Sequence, residues 1–238
     1  MNLYRLELRK IRLSVYLRAA AGICAALLSM GLMFLFIFQS EGVTGPGAVT
    51  EPYGSWNGLL ALTAALAFSC FSVLSAVLAA RLIVGEYCGK YAVLLLCYPV
   101  KRIEMLAAKC MTVCVFTAAC TCAGIVSAMG FLYAAAQILG IKPQLLEGNY
   151  PVTVLACSLL AGIMSSQAGL VSAAFGCRKR SKMAAIVCSL ILVCCCANVI
   201  VISPEHIVWV MAAMAFLFTV TAGFSCRFLA ARIETMEV

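Results

Sequence analysis

Of the 238 residues, 65% are hydrophobic and only 11% charged, and the mean hydropathy is +1.08. A soluble globule carries about a quarter charged residues, so that class is excluded and a single membrane domain accounts for the length. The net charge of +8 is spread beside apolar runs and forms no basic module, which argues against nucleic acid as a partner and for anionic lipid.

Residues 2–17 form the first element. At 100° per residue, Tyr4, Leu8, Ile11 and Val15 fall in one arc and Arg5, Arg9 and Arg12 in the next. The pattern predicts an amphipathic helix lying in the headgroup layer, apolar stripe toward the acyl chains and arginines toward phosphate. Six runs without any charged residue come next, at 19–38, 57–80, 110–136, 151–176, 183–202 and 207–226. Each reaches the ~20 residues that an α-helix needs to cross a hydrocarbon core. The fold expected is an all-α integral membrane protein of six spans. The first run is longer than a signal-peptide core and no A-x-A-like site follows it, so it is read as a retained helix.

Placing the N-terminus inside puts Arg5, Arg9, Lys10, Arg12 and Arg18 on the cytoplasmic face. Arg81, Lys90, Lys101, Arg102 and Lys109 join them, as do Arg178, Lys179, Arg180, Lys182, Arg227 and Arg232. Only Lys142 is left outside. The positive-inside rule requires this asymmetry, and a miscounted helix would scatter the cations. Both termini are therefore expected in the cytoplasm and the protein in the plasma membrane of a bacterium. The outside loops are short. The first carries Gly42, Gly45, Pro46, Gly47 and Pro52 and ends at Trp56, where an aromatic anchor marks the outer interface. No large extracellular sensing domain is expected.

Small residues recur at four-residue spacing in Ala61/Ala65/Ser69 and Ser72/Ala76/Ala80, which lets helix backbones approach closely. The span interiors as bounded above hold no ionisable group. Their polar residues, among them Ser165, Ser166, Gln167 and Asn198, are read as helix-to-helix glue before substrate ligands. Of the 15 cysteines, none falls in the outside loops and none has paired C-x-x-C spacing. They are read as packing residues, with no metal site. His206 is the single histidine, and neither G-x-S-x-G nor H-E-x-x-H occurs, so no catalytic residue is expected. Gly85 to Tyr91 misses the phosphate-loop spacing by one residue and has Tyr91 where Ser or Thr would hold magnesium. No nucleotide or other cofactor is expected to bind the chain directly.

The most distinctive segment joins spans two and three. Ala92 to Tyr98 is an apolar run too short to cross the membrane, stopped by Pro99 and succeeded at once by Lys101 and Arg102. An apolar cytoplasmic segment must bury itself against lipid, its own bundle or a partner. Glu86 stands four residues before Lys90, and that spacing allows an ordinary intrahelical ion pair.

In its order of Glu86, Gly89, the apolar stretch Val93 to Cys97, Pro99, Arg102 and Lys109, this segment resembles the membrane subunits of type-2 ABC exporters. The small permeases of lantibiotic-immunity and drug-resistance systems are the nearest in kind. Lys90 stands where many members have Thr. The basic N-terminal helix and the six spans extend the resemblance over the whole topology. It implies one permease domain over residues 1–238 that dimerises with itself or a sister chain. It also implies a separate cytoplasmic ATPase that carries ATP and magnesium. Glu86, Gly89, Leu95, Pro99, Lys101 and Arg102 would then be the ATPase-coupling residues, and the cargo a peptide antibiotic, a drug or another amphipathic compound. The alternative from another class is a non-transporting membrane scaffold or regulatory subunit that recruits a cytosolic partner through the same segment.

Overall fold

Hydrocarbon offers no hydrogen bonds, so a chain this apolar has to satisfy its backbone internally, and helices do so within one segment. The computed structural model describes residues 13–40, 56–87, 102–138, 150–202, 204 and 206–234. These residues are helical almost throughout. The helices are α1 (Leu13–Ser40), α2 (Trp56–Ala79), α3 (Arg102–Ile138), α4 (Tyr150–Lys179), α5 (Lys182–Ile202) and α6 (Ile207–Glu234). Six helices are long and apolar enough to cross a membrane, as the charge-free runs predict.

The helices overrun those runs where charged residues had set the edges. Past Ala79, α2 continues through a π turn, Ala80–Val84, into a last short stretch, Gly85–Tyr87. α3 begins at Arg102, well before position 110. Leu13 to Leu17 run unbroken into the first span as part of α1. Tyr4, Arg5, Leu8, Arg9, Ile11 and Arg12 of the expected interfacial helix lie outside the described residues.

The bundle is built around α4, which packs against α2, α3, α5 and α6, while α2 also contacts α1, α3 and α5. Small side chains explain how the backbones come so close. Ala61, Ala65, Ser72, Ala76 and Ala80 of the four-residue ladders are all buried. At Gly169 of α4 a Cβ would stand 1.8 Å from Ser75 Oγ and 2.8 Å from Ser75 Cβ, so α2 and α4 meet there with no room for any side chain. Around this centre the exposed faces are apolar: Met30, Met33 and Phe36 of α1, Trp209, Phe216 and Phe224 of α6. A bundle with small residues inside and large apolar ones outside is solvated by lipid.

Most of the serine and threonine hydroxyls bond to carbonyls of their own helix, one turn back, as they do in hydrocarbon, whereas the buried Ser75 Oγ has no hydrogen-bond partner among the described residues. Thr117 Oγ1 donates to Val113 O at 2.7 Å, Ser69 Oγ to Ala65 O at 2.7 Å and Ser172 Oγ to Gly169 O at 2.7 Å. A few also cross between helices. Thr121 and Ser165 share a hydrogen bond of 2.9 Å between α3 and α4, and Ser189 Oγ of α5 donates to Ser72 O of α2 at 3.2 Å. Ser166 and Asn198 bond instead to their own helices, at Ile163 O and Cys194 O. The polar span residues thus serve packing. So do the cysteines: Cys157 and Cys177 are buried, and Cys122 Sγ donates to Ser158 O at 3.2 Å.

The two ends of the bundle differ. At one end Trp56 and Tyr150 stack edge to face, ring centroids 6.2 Å apart, and Tyr150 Oη donates to Trp56 O at 3.4 Å. Aromatic residues at a span's end are the usual mark of the interface. At the other end α4 closes into α5 through a tight turn, with Arg180 N–H bonded to Cys177 O and Ser181 N–H to Gly176 O. Arg180 has φ 52° at the position where such a cap normally has glycine. An arginine held there costs about 1 kcal/mol relative to glycine.

Candidate functional site

If α2 ran on as a regular helix, Glu86 would face a different side of it. The π turn at Ala80–Val84 takes in an extra residue and shifts the register of the residues beyond it by about 100°. Ala80, Leu82, Ile83 and Val84 are buried in the bundle, and Gly85 N–H closes the turn on Ala80 O. After it, Glu86 is partly enclosed and Tyr87 buried. From the other side, α3 delivers Lys109 two turns after its start at Arg102.

Glu86 and Lys109 form an ion pair, Nζ donating to Oε2. The Lys109 side chain has 0% exposure and that of Glu86 19%. The ammonium also sits over the face of the Tyr87 ring, 4.9 Å from its centroid, in a cation–π contact. The start of α5 lies against Gly85, the residue before Glu86. A Cβ on Gly85 would stand 2.9 Å from Lys182 Cε and 3.0 Å from its Nζ, so the first residue of α5 lies directly on the end of α2. Close by, Gly176 of α4 approaches Val84 and Ala185. Four helices therefore converge on one joint.

Energetics make this joint unlike the rest of the bundle. A lysine taken wholly out of water costs several kcal/mol unless its charge is matched, and removal of one partner of a buried pair costs about 3–5 kcal/mol. Exposed pairs contribute about 0–1 kcal/mol. Burial decides which value applies, and here the cation is fully enclosed.

The sequence reading put Lys109 at the solvent edge of span three. That is corrected: α3 begins at Arg102 and carries Lys109 inside the bundle, so the spans do hold an ionisable pair in their end turns. The reading also let Glu86 pair with Lys90. Lys90 lies outside the described residues, and among these Glu86 pairs with Lys109, 23 positions along the chain. Among the other site residues expected, Arg102 is the first residue of α3. Gly89, Leu95, Pro99 and Lys101, and Lys90 with them, lie outside the described residues. Lys109 and Tyr87 were the functional candidates missed. The one signal for Lys109 was its place in the resemblance, at the head of span three.

Among the described residues there is no group of three or more His, Cys, Asp or Glu side chains that could hold a metal ion.

Comparison with known proteins places these features in context. A family model described as ABC-2 family transporter protein matches residues 5–196. The chain is 32% identical over 111 residues to an uncharacterized protein, YcbO, of Bacillus subtilis (strain 168). That similarity covers 47% of this chain and 46% of the relative, so the chain spans about half the length of the curated relative it matches. No solved structure matches it.

Proposed function

The chain belongs to the ABC-2 transporter family, and from that premise we propose that it is the permease subunit of an ATP-driven exporter. A separate cytoplasmic ATPase, with its own ATP and magnesium, supplies the energy. The reading is carried by the family match over residues 5–196, which takes in α1 to α4, the segment between α2 and α3, and most of α5. The whole of residues 1–238 acts as one permease domain. It works beside a second permease copy or a sister chain, with substrate moving between them. The cargo is a peptide antibiotic, a drug or another amphipathic compound.

Segment 86–102 is the coupling element in this reading, its apolar run seated on the ATPase and Lys101 and Arg102 fixing the register. The Glu86 end of the bundle then faces the cytoplasm, where Arg81, Arg178, Lys179, Arg180 and Lys182 meet anionic headgroups. Both termini lie on that side of the plasma membrane. A single cysteine at Ala48 or Gln144 in a cysteine-free background should react with an impermeant reagent on intact bacteria, and one at Val100 or Arg180 should not. The reverse pattern would remove the topology.

Energy coupling has its own test. The permease purified alone should hydrolyse no ATP, because Gly85 to Tyr91 cannot form a phosphate loop. Pulled down in mild detergent from its own cells, it should bring an ATPase subunit along in equal amount and turn over ATP. ATP turnover by a preparation free of any ATPase subunit, or the absence of an ATPase from every preparation, would defeat the reading.

A further inference from the structure

We infer that the Glu86–Lys109 pair is a clamp across the base of segment 88–101, Glu86 acting on Lys109 within the bundle and not on the ATPase. The inference rests on the reading of that segment as the coupling element. Four observations support it. The Lys109 side chain is wholly enclosed and its carboxylate partner partly so, which places the cation of the contact inside the bundle. Tyr87, beside Glu86, offers its ring face to the same ammonium at 4.9 Å, so one cation is held by two successive residues of α2. The π turn that aims both residues lies immediately before them. Finally, Lys182 of α5 approaches Gly85, so that a third helix abuts the joint.

The positions of the pair give the clamp its mechanical meaning. Glu86 stands one residue before the end of the α2 stretch Gly85–Tyr87, and Lys109 stands on the second turn of α3. In the sequence, residues 88–101 join the two helix ends that carry this pair. Were the two helix ends to part, the ammonium would be stranded in a site closed to water, at the cost of an uncompensated buried charge. A push on the segment therefore moves α2 and α3 together and reaches α4 and α5 through the contacts at Val84, Gly85 and Gly176. Without the clamp, the same push is spent in splaying the two helices. Glu86 and Lys109 are positioning residues: they transmit, and touch neither cargo nor nucleotide.

The experiment uses the full permease–ATPase complex in vesicles, with Mg-ATP as the probe. Its readouts are ATP turnover and the amount of ATPase retained. Glu86→Lys and Lys109→Glu should each lower turnover roughly tenfold, in the upper range for coupling residues. Glu86→Lys combined with Lys109→Glu should return turnover to within about threefold of the parent, because the pair is rebuilt with its charges exchanged. A direct contact with the ATPase would not be rescued in this way, so a double exchange as poor as the singles overturns the clamp. Poor folding of the single variants is controlled by Glu86→Gln with Lys109→Met, which leaves no buried charge unmatched. This neutral pair should insert and retain the ATPase normally yet turn over ATP several-fold more slowly; full turnover would show a merely structural role and overturn the inference. Leu95→Asp separates the clamp from its premise. If Leu95→Asp keeps both ATPase and turnover, the coupling reading itself fails. If it loses them and the charge exchange is not rescued, only the clamp fails.

Discussion

Replacing Gly169 with leucine should abolish the assembled bundle, so that little monodisperse protein is recovered from membranes. The cause lies at one contact. A Cβ at Gly169 would fall 1.8 Å from Ser75 Oγ, 2.8 Å from Ser75 Cβ and 3.1 Å from the Ser75 carbonyl carbon. Rotating the serine away clears only the first clash, and the others need α2 and α4 to move apart. Those two helices are the most enclosed in the bundle, with Phe68, Phe71, Leu78 and Met164 fully buried around the crossing. Overpacking a tight core costs about 1–3 kcal/mol and occasionally more. A leucine forced between two backbones belongs at the top of that range, since it also weakens the contact that holds Ser72 O against Ser189. Alanine at the same place should do less harm, and Gly169→Ala with Ser75→Gly should recover much of the loss by moving the side chain from one helix to the other. Gly130 and Gly223 are the controls. Neither has an atom within 4 Å of its missing Cβ, so alanine there should leave thermal unfolding in detergent unchanged or raise it slightly, as helix propensity favours alanine by about 1 kcal/mol. Equal behaviour of Gly169→Leu and Gly130→Leu would show that this crossing does not hold the fold.

The span count was legible because a charge is costly in hydrocarbon, and that cost writes itself into the sequence as charge-free runs between cationic flanks. The same rule misplaced the ends of α2 and α3. It treats every charged residue as a boundary, whereas Glu86 and Lys109 cancel one another and let the helices continue. Pairing over 23 positions is a tertiary fact. Local spacing could offer only Lys90, the nearest cation one helical turn away. The π turn at Ala80–Val84 was equally invisible, since Ala-Arg-Leu-Ile-Val carries no Pro or Gly to mark an irregularity. Trp56 shows the opposite case: its aromatic anchor role was plain from its position after a turn-rich loop, and only its partner Tyr150 required the fold. The small-residue ladders were legible as close packing, but which helix each ladder faces was not. Gly169 stands in a ladder that the sequence analysis did not single out, Ala161/Ser165/Gly169/Ala173, all of it buried.

Leu95→Asp should cost the complex its ATPase while leaving the permease in the membrane at normal levels. Leu95 sits within the apolar run Ala92 to Tyr98, flanked by Glu86 on one side and by Lys101 and Arg102 on the other. In the coupling reading its side chain enters an apolar contact on the ATPase, and Lys101 and Arg102 set the register of that contact. A carboxylate there has to be buried unpaired or the contact abandoned, and either outcome weakens docking by about 2 kcal/mol or more. That energy corresponds to a loss of affinity of roughly thirtyfold. Insertion should be unaffected, because the run Ala92 to Tyr98 is too short to be one of the spans. The lipid-facing alternative predicts a different pair of results. A carboxylate introduced into a segment that lies on the bilayer weakens its hold on lipid but leaves the ATPase bound. Affinity purification of the tagged permease separates the two: loss of the ATPase band together with loss of ATP turnover supports docking, and stoichiometric ATPase with full turnover removes segment 86–102 as the coupling element. Pro99→Ala refines the result. If Pro99 ends the apolar run and fixes where Lys101 and Arg102 begin, its loss should weaken docking less than Leu95→Asp does, since the register is relaxed while every apolar contact is kept.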